Sequence, residues 1–75
     1  MISTFKNTLL CKYWPSSQYH NQLHALYREG ILTLGDVMQR TEAEIIRIPM
    51  CGRGTVLVLR QVLAKGMRAY LEEVS

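Results

Sequence analysis

The chain has 75 residues, 48% of them hydrophobic, which bounds it to one domain with a small core, near the lower size limit for folding without staples. With 5 glycines and 2 prolines it is neither low-complexity nor disordered, and 2 cysteines without a CxxC exclude a disulfide framework. A net charge of +3 permits nucleic-acid or acidic-protein partners without demanding them.

Residues 1–17 are the least regular part. Phe5, Leu9, Leu10, Tyr13 and Trp14 nevertheless make this segment apolar enough to lie on the body. Pro15 disfavours helix at Trp14, and Ser16 or Ser17 offers an N-cap for the next helix. Trp14 reads most simply as a core-edge anchor, with base stacking as the alternative. Gln18 to Glu29 is the first clear helix, with Tyr19, Leu23, Leu26 and Tyr27 on one apolar stripe. Gly30 is its left-handed stop and Ile31 the hydrophobic partner of that stop. The opposite face carries His20, Asn21, His24 and Arg28. His20 and His24 share a face, but no acidic or cysteine ligand stands at the right local spacing, so they read as ordinary polar helix residues.

Thr33-Leu34-Gly35-Asp36 has capping-box spacing and opens a short helix to Arg40. Thr41-Glu42-Ala43-Glu44 repeats the device and starts the helix carrying Ile45 and Ile46, which Pro49 ends. The turn Cys51-Gly52-Arg53-Gly54-Thr55 comes next. Its two glycines are expected to take positive φ and to leave room for a close approach. A helix opening there presents unpaired N–H groups and the positive end of its dipole to an anion. The last helix begins near Thr55, with Val56, Leu59, Val62 and Leu63 as its inward stripe. Leu57 and Val58 widen the apolar arc beyond one buried face. Gly66 either stops this helix or only weakens it, and Met67, Tyr70, Leu71 and Val74 continue the helical spacing as an extension over 67–75. That arc either meets a partner or is covered by the N-terminal segment. No strand has good alternation, so the expected fold class is all-α, a bundle of about five short helices in a single domain spanning 1–75.

The run Gly30-Ile31, Gly35-Asp36-Val37, Arg40-Thr41-Glu42, Glu44-Ile45-Ile46 and Pro49, together with the glycine-basic turn after it, resembles the C-terminal domain of the bacterial RNA polymerase alpha subunit. The likeness extends from Leu9-Leu10 to about Gly66. It implies a compact helix-hairpin-helix bundle, SAM-like in fold, that docks in the DNA minor groove and touches transcription regulators. Gly52 matches the family's hairpin glycine, Arg53 a basic position and Thr55 the hydroxyl residue at the start of the last helix. Gly54 replaces a lysine, Asn21 the arginine that enters the groove, His24 and Ala25 an Asn-Cys pair, and Val58 an acidic residue. The expected DNA-contacting set is Asn21, His24, Gly52, Arg53, Gly54 and Thr55, at positions the resemblance covers, with Arg28 and Arg60 as cations that compensate if they line the same face. With two cations lost, its grip is weak and salt-dependent and its sequence specificity low.

The alternative is a protein-interaction module that kept the scaffold and lost most DNA affinity. It would bind RNA polymerase, a regulator or its own copy through Leu57, Val58, Met67, Tyr70 and Leu71. No paired carboxylates, nucleophile–base constellation or metal set is visible, so neither an enzyme nor a cofactor is expected. The absence of an apolar run of about 18 residues predicts no membrane span, and the N-terminus lacks a cleavage pattern. A cytoplasmic, free-standing small protein is the expectation.

Overall fold

In the computed structural model, which describes residues 5–15 and 20–74, the chain forms five helices and no strand among the described residues. They are α1 (Leu10–Tyr13), α2 (His20–Arg28), α3 (Leu34–Met38), α4 (Glu42–Arg47) and α5 (Arg53–Val74). The proposed Ser16 or Ser17 cap and the Tyr19 position lie outside the described residues.

Local chemistry explains most of the boundaries. Helix α2 stops at Gly30, whose φ of +78° belongs to the left-handed region. The Gly30 N–H donates to the Tyr27 carbonyl and the Ile31 N–H to the Leu26 carbonyl, which satisfies carbonyls that the helix end leaves open. Ile31 is then fully buried. Helices α3 and α4 each begin with a complete capping box. The Thr33 and Thr41 hydroxyls accept from the amides of Asp36 and Glu44, whose carboxylates accept in return from the Thr33 and Thr41 amides. Helix α4 ends at Ile48, held extended at ψ 130° because the ring of Pro49 crowds a helical residue before it.

The core gathers Phe5, Leu10, Leu23, Leu26, Ile31, Leu34, Val37, Ile45, Val58, Leu59 and Val62, among others. Helix α5 is its spine, since α4, α1 and α3 all pack against it. The N-terminal segment is tied down by two backbone bonds, Leu10 N–H to the Leu32 carbonyl and Leu34 N–H to the Thr8 carbonyl. It crosses α3 so closely that a Cβ at Gly35 would stand 2.9 Å from the Lys6 carbonyl oxygen. Trp14 is half-buried against the core.

Helix α5 begins at Arg53, close to the expected Thr55, and runs unbroken through Gly66 to Val74, one of the two expected courses. The packing corrects three other expectations. The inward face of α5 is Thr55, Val58, Leu59, Val62 and Gly66, while Val56 and Leu63 are only half-buried. Val58, expected on an outer arc, is 6% exposed because it falls on the same side of the helix as Val62. And the residue that takes positive φ before α5 is Met50, at 72°, rather than Gly52 or Gly54. The reversal after Pro49 is made at Met50, two residues before the first of these glycines.

Candidate nucleic-acid interface

The start of α5 differs from the starts of α3 and α4. The Gly52 carbonyl accepts the first intrahelical bond, from Val56 N–H at 3.2 Å, which makes Gly52 the N-cap. A glycine has no side chain with which to cap, and among the described residues no side chain answers the amides of Arg53 and Gly54. Added Cβ atoms at Gly52 and Gly54 would meet nothing within 4 Å, so solvent-side space is open over this turn. The exposed Arg53 adds a full positive charge beside those amides. Uncapped N–H groups, a helix dipole, a guanidinium and free approach are the requirements for holding an anion such as a phosphate.

Thr55 does not join that set. It is 4% exposed, and its hydroxyl lies against the Cys51 sulfur, where it favours the thiolate. Burial outweighs that effect, helped by the charge of Glu29, and the Cys51 thiol is pushed above its ordinary value. Cys51 therefore stays a protonated, inert core residue, and Thr55 is an internal joint between the turn and α5. The sequence shows a hydroxyl at a helix start; only burial shows which way it faces.

Arg60 stays exposed but has an acidic neighbour. Its guanidinium pairs with Glu42 across the α4–α5 packing, both side chains being exposed. A groove of about 370 Å³ lies there, lined by Glu42, Ile46, Arg53, Val56, Leu57 and Arg60. Arg53 and Arg60 thus share one flank of α5, with a carboxylate between them, and the local field is less positive than the two arginines alone would make it.

On α2, His20, Asn21, His24 and Arg28 are all exposed, while Leu23, Ala25 and Leu26 are buried. The His20 and His24 rings stand 5.0 Å apart, and His24 meets the edge of Tyr27 at 6.1 Å. Tyr27 is raised above its ordinary 10.0 by burial and then by the adjacent Cys11 thiol, which links α2 to α1. The far end of α2 reaches the turn before α5. Arg40 donates to the Glu29 carbonyl at 3.2 Å, Glu29 and Pro49 line a common cleft, and the Glu29 charge acts on Cys51. The C-terminal end of α2, at Glu29, is thus brought toward the turn, with Glu29 and Glu44 beside Arg40 and Arg47. The sequence reads Glu29 as a helix end and Glu44 as a capping carboxylate, and places neither at the site. Glu44 lies beside Arg47 within α4 itself, whereas the position of Glu29 beside Arg40 depends on how the end of α2 meets the rest of the fold.

For the alternative surface, Leu57, Met67 and Leu71 are exposed, Val58 is in the core, and Tyr70 is half-buried with its ring 6.1 Å from Phe5. No group of three or more potential metal-ligating side chains occurs among the described residues. No helix there is long and apolar enough to cross a membrane. No known protein-family profile matches this chain, and no solved structure matches it.

Proposed function

We propose that this chain is a small DNA-binding module related to transcription, holding a backbone phosphate at the N-terminus of α5. The observation that carries the reading is the contrast in capping. Two helices of one short chain have complete capping boxes, while the longest begins on a bare glycine with a second glycine and an arginine in its first turn. Among the described residues no close contact requires either glycine, since both face open space at ordinary φ. A phosphate approaching the amides would require them.

The resemblance to the C-terminal domain of the RNA polymerase alpha subunit supports the same reading and supplies the geometry we propose, a helix-hairpin-helix formed by α4, the glycine turn and α5. Asn21, His24 and Arg28 on α2 then reach toward a groove edge. With asparagine in the place of the family's groove arginine and glycine in that of its lysine, binding depends on few cations. It is therefore weak at physiological salt, with a shallower salt dependence than a larger set of cations would give.

The test is a titration of the labelled protein with a DNA duplex at about 50 mM salt, followed by amide NMR. The expected result is shift changes at Gly52, Arg53 and Gly54 and along the exposed face of α2, greatly reduced in Arg53→Ala. Unchanged amides around Gly52 under those conditions would sink the proposal. Thr55 is left intact in this test because its hydroxyl belongs to the fold.

A further inference from the structure

Helix α5 is apolar on two opposite sides. At about 100° per residue, Ala64 and Leu71 fall across the helix from Val62 and Gly66, which are buried. Ala64, Met67, Leu71 and Val74 succeed one another at steps of three, four and three, the spacing of a helix–helix seam. All four are exposed, Met67 at 41% and Leu71 and Val74 at 54% each. A helix facing water on this side would be expected to carry polar residues there. One edge of the stripe is charged instead, with Arg68 and Glu72 a turn apart. Together with Ala64, Met67 and Leu71 they line one open groove along the helix.

We infer that this face binds the same face of a second copy of the chain, with the two α5 helices antiparallel about a two-fold axis near Tyr70. The charge pattern selects this occupant and this orientation. A two-fold axis perpendicular to the helices sets the Ala64–Arg68–Glu72 row of one copy against the same row running the other way. Arg68 then meets the second copy's Glu72, and symmetry repeats the pair. The Met67–Leu71 row likewise meets itself. A parallel pair would put the charged row against the apolar one, stranding both arginines on methionine and leucine.

The seam is short, about 10 Å from Met67 to Val74, so the interface is smaller than those of stable dimers. Association therefore shows in the range of about 10 µM to 1 mM. The inference is independent of the DNA reading, since it needs neither DNA nor the α5 N-terminus.

Sedimentation equilibrium across that range, without DNA and with a thiol reductant present, tests it. The wild type should pass from monomer to dimer, and Leu71→Lys should remain monomeric while keeping its helical circular dichroism. Arg68→Glu should weaken association roughly tenfold, because two attractive pairs become two repulsive ones. The double variant Arg68→Glu with Glu72→Arg should restore it. A wild type monomeric at about 1 mM overturns the inference, as does a Leu71→Lys protein that still dimerises. If Arg68→Glu dimerises as well as wild type, or the charge swap fails to rescue, the antiparallel pairing is wrong.

Discussion

At Gly66, near the middle of α5, an added Cβ would stand 2.5 Å from the Leu34 side chain and 3.4 Å from Phe5. At Gly54, in the first turn of the same helix, it would meet nothing within 4 Å. Both positions carry the same residue, and both forgo about 1 kcal/mol of helix propensity relative to alanine. At Gly66 the close packing of α3, α5 and the N-terminal segment accounts for that loss. At Gly54, as at Gly52, no internal contact does. The pair shows how to separate a glycine the fold requires from one it merely tolerates, and the second kind is where an external ligand is worth seeking.

The largest expected effect tests the packed end. Leu34 is fully buried, and Leu34→Ala should cost about 3 kcal/mol, read as a lower denaturation midpoint with an unchanged slope. Gly66→Ala should cost about 1–2 kcal/mol net, because overpacking outweighs the gain in propensity. In the Leu34→Ala background the same change should cost clearly less, since the new methyl enters the space vacated. Additive costs in that double-mutant cycle would mean that Gly66 is not held by Leu34.

The capped helix starts come next. Thr33→Ala should cost about 1 kcal/mol, a shift of roughly 4–8 °C in Tm, through the loss of one half of a capping box.

Acid should act on the other half. The backbone amides of Leu32 and Thr33 hold Asp36 below its ordinary 3.8, and the Thr41 amide and hydroxyl hold Glu44 below 4.5. For carboxylates depressed in the folded state, the stabilisation is fully present above the unfolded value and fades as pH falls through the folded one. Thermal stability should therefore decline below about pH 4 and be flat with respect to these groups near neutrality. A stability curve level down to about pH 2 would contradict these bonds.

The smallest change in stability carries the most functional information. Gly52→Asp supplies the missing cap of α5, so the fold should gain a few tenths of a kcal/mol. It also puts a negative charge where a phosphate would sit, so DNA-induced shifts should vanish. A variant that is more stable and still binds DNA as wild type would remove the α5 N-terminus from the site.

Several features were legible without tertiary structure because they are fixed by neighbours in the chain. The two capping boxes, the Gly30 stop and the end of α4 before Pro49 each arise from side-chain–backbone chemistry within a few residues. The all-helical class comes from the apolar spacing. The candidate site was legible only in outline. Arg53 and Gly54 are exposed and Gly52 half-buried, while Thr55 turns into the core and the exposed Arg60 has Glu42 beside it.

Those last two fates depend on where α4 lies against α5, and no local pattern encodes that. The same holds for Val58, which an amphipathic count left on the outer arc and the packing drew inside. Composition and spacing determined that α5 is apolar on more than one side. Which side is the core was decided only when α1, α3 and α4 closed on it, because burial is a property of the assembled helices and not of any one of them.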